Sequence, residues 1–170
     1  GEPRNRPALA QAFEEIGTGG RFVVAVNHLK SKGSACDLSD AGDGQGCFNA
    51  TRTLAANALA DWALRDPTGS GSKQVLIMGD FNSHRLEDPI RAVDQSGLVN
   101  LLARLGDAAS YTYVYEGRTS TLDYAFASPQ LLPFVTGAAP WHINADEPEL
   151  LDYNIERGKP TAWFSSGPFR

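Results

Sequence analysis

The stretch Lys73–His84, K-Q-V-L-I-M-G-D-F-N-S-H, decides the fold. Val75, Leu76, Ile77 and Met78 form a short apolar run between a Gly-Ser-Gly-Ser loop and Gly79. A run this short, bounded by turn formers, predicts a strand buried on both faces. Polarity then switches at once to Asp80, Phe81 and Asn82. Side chains just past the carboxyl end of a buried strand stand at the mouth of the site in α/β proteins. Asp80 and Asn82 are two residues apart, so an extended chain points both to the same side. The carboxylate can take a proton or hold a cation, and the carboxamide can donate to an oxyanion. The alternative is structural: a strand ending in an Asx turn, with Asp80 capping the loop.

Upstream, Arg21–Leu29 (R-F-V-V-A-V-N-H-L) predicts a second buried strand, apolar from Phe22 to Val26. It too ends in polar groups: Asn27, His28, Lys30, Ser31 and Lys32. A histidine at a strand end, followed by two lysines on alternate positions, favours a site that binds an anion. Between the strands, Asn49–Arg65 predicts a helix, capped by Asn49 or Thr51 and ended by Asp66-Pro67. Its expected apolar stripe is Leu54, Ala55, Ala58, Leu59, Trp62 and Ala63. Arg52 lies in the first turn, unfavourable for a cation by dipole logic but suited to a phosphate contact.

The remainder is less regular. Residues 7–16 fit either a helical face or an alternating strand. Gly33–Phe48 holds Asp37, Asp40 and Asp43, without the ligand order of an EF-hand, and reads as a solvated acidic loop. Asp88-Pro89 starts a short helix to about Val93, and Gly97–Leu105 is expected to be helical. Tyr111–Tyr115 and Thr119–Ser128 predict strands. Asp123 interrupts the second of these; a buried carboxylate there needs a partner, while an exposed edge position needs none. A short helix follows through Phe134, then a polar-aromatic stretch over Trp141–Pro148, and a small packed turn at Leu150, Leu151 and Tyr153.

With 170 residues the chain is long enough for a single domain with a core. Its formal net charge of −5 argues against coating nucleic acid by bulk positive charge, though not against gripping a few phosphates locally. No apolar run approaches the ~20 residues of a membrane span. Cys36 and Cys47 share one loop without a C-x-x-C or a histidine pair, which disfavours zinc. They suggest a local disulfide in an oxidising compartment; the alternative is two free thiols. The start at Gly1-Glu2-Pro3 suggests a processed chain, a subcloned piece or a fragment. G-x-S-x-G, H-E-x-x-H, Walker and G-x-G-x-x-G motifs are absent. His28, Asp80, Asn82 and Asp123 at three strand ends suit phosphodiester hydrolysis, which needs a base for water, donors for the phosphate and commonly a divalent cation.

The strings V-N-H-L-K-S-K-G (Val26–Gly33), G-D-F-N (Gly79–Asn82) and T-L-D-Y-A-F-A-S (Thr121–Ser128) resemble the endonuclease/exonuclease/phosphatase superfamily, the fold of deoxyribonuclease I. With the paired cysteines, N-A-T-R-T and W-H-I-N-A-D-E-P, the resemblance narrows to extracellular bacterial nucleases of the ExeM/NucH type. It implies a four-layer α/β sandwich of two facing sheets with helices outside. It implies that His28 hydrogen-bonds the scissile phosphate, Asp80 orients or deprotonates water, Asn82 binds a phosphoryl oxygen, and Asp123 orients a second histidine. Asp80 and Asn82 would contact Mg²⁺, with Ca²⁺ or Mn²⁺ as alternatives. Asn27, Lys30, Lys32 and Arg52 are candidate substrate contacts, the three cations by charge alone. The substrate would be DNA, with RNA as an alternative, and the enzyme secreted. The chain departs from the pattern at Tyr124, where histidine is usual. It also lacks the family's early Asn and Glu blocks and its late S-D-H-x-P block. Residues 1–170 therefore resemble the middle and later part of one domain. A non-catalytic module needing other segments, and a phosphomonoesterase, are the competing expectations.

Overall fold

In the computed structural model, residues 5–33, 35–36, 43–106, 109–142 and 146 are described. Strands β1 (Leu9–Glu14), β2 (Arg21–His28), β3 (Val75–Asp80), β4 (Val99–Asn100) and β7 (Asp123–Ala127) make one mixed sheet, ordered β1-β2-β3-β7-β4. β5 (Tyr113–Tyr115) and β6 (Arg118–Ser120) form a separate hairpin. The helices are α1 (Asn49–Leu64), α2 (Asp88–Gln95) and α3 (Leu101–Leu105). This is a mixed α/β fold. The ambiguous residues 7–16 resolve as β1, antiparallel to β2. β2 and β3 run parallel, with α1 between them in the chain. The helix expected over Gly97–Leu105 shortens to α3, because Val99 and Asn100 pair with β7 and Asn100 then caps the turn by accepting from the Ala103 N–H. The helix expected through Phe134 shortens to a 3₁₀ turn, Leu132–Phe134. The packed turn expected at Leu150, Leu151 and Tyr153 lies outside the described residues.

One face of the sheet carries the core. Val23, Ala25, Val75, Ile77, Tyr124 and Phe126 are buried there, with Ala56, Leu59, Ala60 and Ala63 of α1 and Ile90 and Val93 of α2 among the core residues. The opposite face is apolar but open: Val26 is 41% and Met78 42% exposed, and Leu9 and Phe13 are exposed beside them. The expectation that β2 and β3 are buried on both faces is thus corrected. Among the described residues no second large sheet faces the first; α3 and residues 131–140 wall only part of the other face, where Phe22 and Leu76 are half-buried.

The α1 stripe is also corrected. Its buried positions are Asn49, Arg52, Ala56, Leu59, Ala60 and Ala63, while Leu54 is 72% exposed and Trp62 is also exposed. The period is as expected, but the helix is turned so that small alanines meet the sheet and Arg52 faces inward. Neither Asn49 nor Thr51 caps α1. The cap residue is Phe48 in the left-handed region (φ 63°), and the Asn49 amide donates instead to Asp43 and Asp88.

Two loop devices hold the sheet ends. Gly79 has φ 144°, and a Cβ there would lie 2.1 Å from the Asn27 carbonyl oxygen, so only glycine fits beside β2 at the residue before Asp80. Asp66 closes the α1–β3 turn by accepting from the N–H groups of Ser70 and Gly71 and from the Thr68 hydroxyl. These bonds, the Gly71 N–H first, hold its carboxyl below the ordinary value. A depressed carboxylate stabilises the fold above its unfolded pKa of about 4 and loses that contribution as pH falls through the folded value. Asp66→Asn is therefore expected to flatten the acid limb of the stability–pH curve, measured by urea unfolding between about pH 2 and 5.

Cys36 and Cys47 form a disulfide. Intact protein should show no free thiol under denaturing, non-reducing conditions. Replacing both cysteines by serine is expected to lower unfolding free energy by about 2–3 kcal/mol, the chain-entropy value for a loop of this length.

Candidate active site

Strand register builds the site. His28 of β2 is the Cα partner of Asp80 of β3, and Asp80 is the partner of Asp123 of β7. Residues paired across neighbouring strands share a face. The three side chains therefore form one row across the sheet, on its open face. His28 Nε2 lies 3.3 Å from Asp80 Oδ2. Burial pushes the Asp80 carboxyl above the ordinary value; the Asn82 N–H opposes this, and the neighbouring Asp123 charge adds to it.

Asn82 follows in the left-handed region at φ 47°. Its N–H donates to Asp80 Oδ1 at 2.7 Å, and its Nδ2 to the Leu29 carbonyl at 3.1 Å and Asp80 Oδ2 at 3.2 Å. The Asx turn and the site reading thus coexist: the turn aims the carboxylate while leaving it beside His28. Asp123 is exposed, the first residue of β7, and among the described residues its carboxylate makes no ion pair. A buried carboxylate is ruled out here because the open face leaves it in water, and β7 is not an edge strand.

The expected phosphate contacts are largely turned inward. Arg52 is 0% exposed and donates to the Ser83 hydroxyl and to the carbonyls of Lys30, Cys47 and Gln45. That corrects its assignment as a DNA contact: four internal acceptors already hold the guanidinium. Lys32 Nζ meets both Glu87 carboxylate oxygens at 2.5 and 2.6 Å, and burial lowers its pKa. Lys30 Nζ sits 4.8 Å over the Phe48 ring. Asn27 is buried, and strand alternation turns it away from the row. Its Nδ2 donates to the Asp80 carbonyl at 3.2 Å, so it positions β3 from behind rather than meeting substrate.

Other residues at the site were not singled out from sequence. His84 Nδ1 lies 2.6 Å from the Ser120 hydroxyl, joining the loop after β3 to the end of β6. Burial first, then Lys32, pushes its pKa down. His84 lies in the quoted stretch, but nothing in the spacing links it to Ser120, 36 residues away. Arg6 is close enough to favour the Asp80 charge. Tyr124 explains its own departure from the usual histidine. Alternation turns it to the buried side, where its hydroxyl contacts the carbonyls of Ser83 and Thr121 at 3.0 Å and braces the two loops.

The model of the endonuclease/exonuclease/phosphatase family matches residues 3–165. The chain belongs to that family. Solved structures with the endonuclease/exonuclease/phosphatase fold match it too. A mannosyl-6-phosphatase of Bacteroides thetaiotaomicron is 17% identical with a TM-score of 0.53, over 72% of this chain and 42% of that one. The human nocturnin catalytic domain is 21% identical with a TM-score of 0.51, over 72% and 41%. A beta toxin of Staphylococcus aureus is 17% identical with a TM-score of 0.53, over 72% and 42%. The chain thus spans about two-fifths of the length of these structures. No curated protein matches it.

Enzymes of the endonuclease/exonuclease/phosphatase family are hydrolases that generally use divalent metal ions. The donor set here fits such an ion in one respect. Two carboxylates, Asp80 and Asp123, face each other in register; burial first, and the Asp123 charge with it, raises the Asp80 pKa. Among the described residues no group of three His, Cys, Asp or Glu could cage a metal. Of the acidic loop, Asp37 and Asp40 lie outside the described residues, and Asp43 is engaged by Gln45 and Asn49.

Proposed function

We propose that this chain carries the central part of the active site of a metal-dependent phosphodiester hydrolase, an extracellular nuclease acting on DNA, with RNA as an alternative substrate. The observation that carries this reading is the row His28–Asp80–Asp123, in register across three strands. His28 donates to a non-bridging phosphate oxygen. Asp80 orients the attacking water and takes its proton. The amide of Asn82 exchanges its bond to Asp80 for the phosphoryl oxygen as negative charge builds there. Asp123 orients a histidine. The chain's other two histidines, His84 and His142, contact Ser120 and the Tyr111 carbonyl instead. A bound Mg²⁺, held by Asp80 and Asn82, would neutralise charge on the phosphate. The disulfide supports an oxidising, extracellular setting.

Two other readings have support. The open apolar face around Val26 and Met78 favours a module that needs further segments or a partner before it acts. The similarity to a mannosyl-6-phosphatase favours a phosphomonoesterase. One panel separates the three: plasmid, single-stranded DNA, RNA and mannose 6-phosphate, each with Mg²⁺, Ca²⁺, Mn²⁺ or chelator. Metal-dependent nicking is the expected result. Phosphate release from the sugar ester alone would establish the monoesterase, and a folded chain inert on all four would establish the incomplete module.

A further inference from the structure

The β5–β6 hairpin takes no part in the hydrolytic row, yet it presents an aromatic face beside it. Glu116 and Gly117 turn it with φ of 49° and 74°, a primed hairpin turn. Tyr113 then stands opposite Ser120, and Tyr115 opposite Arg118, all on one face. The two tyrosine rings are 6.1 Å apart and within 8° of parallel. Tyr113 is 38% and Tyr115 55% exposed, and Arg118 is exposed beside them. The root of this face joins the site. Ser120 contacts His84 of the Asn82 loop, and Thr112, next to Tyr113, accepts from the Asp123 N–H at 3.1 Å.

We infer that this face is a stacking platform for the bases of an unpaired nucleic-acid strand leaving the row, with Arg118 meeting its phosphates. The inference rests on the nuclease reading above and names how that site would hold its substrate. Parallel aromatic rings spaced along a strand accept successive bases whatever their identity, because every base has a π-face. A net charge of −5 removes bulk attraction to a polyanion, so affinity has to come from local contacts such as these. A purely structural tyrosine pair would strengthen the hairpin but would not distinguish a base-bearing strand from a bare backbone.

The test is binding, in chelator so that nothing is cut. Fluorescence anisotropy compares a single-stranded oligodeoxynucleotide with an abasic deoxyribose-phosphate oligomer of the same length. Wild type is expected to prefer the base-bearing strand about tenfold. Tyr115→Leu and Tyr113→Leu each remove most of that preference, Tyr115→Phe retains it, and Arg118→Gln weakens both oligomers alike. Equal wild-type affinity for the two oligomers overturns the inference, and needs no variant to fold. A preference that survives in both folded leucine variants overturns it too. Base preference without cleavage in Mg²⁺ counts against the nuclease reading alone, and cleavage without base preference against the platform alone.

Discussion

Asp80→Asn is expected to lower phosphodiester hydrolysis by about 10²–10⁴-fold, the range for loss of a positioned general base, in any preparation that cleaves. Asp80 touches both His28 and Asn82, so its charge organises the row. The same substitution should leave thermal stability equal or higher at neutral pH. Burial raises the folded pKa of Asp80 above its unfolded value. Such a carboxyl favours the fold below about pH 4, where it is protonated, and loses that contribution as pH rises through the folded pKa. At neutral pH the fold therefore carries a carboxylate that burial disfavours. Asparagine removes the charge and keeps an oxygen for the Asn82 N–H. His28→Ala should lower the rate as well, with the fold intact. Near-normal rates in Asp80→Asn would remove it from the mechanism. A large drop in Tm would make its inactivity a folding defect.

The largest expected loss of stability is at Arg52. Arg52→Met should cost about 3–5 kcal/mol in urea unfolding, because buried acceptors lose their donor at once. The guanidinium ties the Gln45 and Cys47 carbonyls of the disulfide loop, the Lys30 carbonyl after β2 and the Ser83 hydroxyl after Asn82. It therefore braces three segments around the row without reaching substrate. Arg52→Lys should recover little, since an ammonium cannot copy the planar fork. If Arg52→Met kept its urea midpoint and lost only nucleic-acid affinity, the residue would be the phosphate contact its charge first suggested.

Arg52 also shows where the sequence stopped being legible. The apolar period located α1, but an arginine on a helix reads as solvent-facing unless its acceptors are known, and these come from residues 5 to 31 positions away. Lys32 is similar: its partner Glu87 lies in a loop 55 residues on. β2 and β3 were legible because apolar runs between turn formers have few alternatives at that length. Their polar ends marked His28, Asp80 and Asn82, but only strand register shows that His28, Asp80 and Asp123 share a row. The sequence leaves Asp123 open between a buried and an exposed position, because its apolar neighbours alternate between a covered face and an open one. Pattern alone leaves residues 7–16 open; the family resemblance implies a strand over Leu9–Phe13, and the pairing of β1 with β2 bears that out.

Paramagnetic broadening of backbone amide signals on adding Mn²⁺, read residue by residue, tests the assignment of the row most directly. The expected result is that the amides of His28, Asp80, Asn82 and Asp123 broaden first, that Mg²⁺ restores them, and that Asp80→Asn abolishes the effect. Broadening centred on Asp43 and Asp88, with the row untouched, would contradict a metal-dependent hydrolytic site at these strand ends.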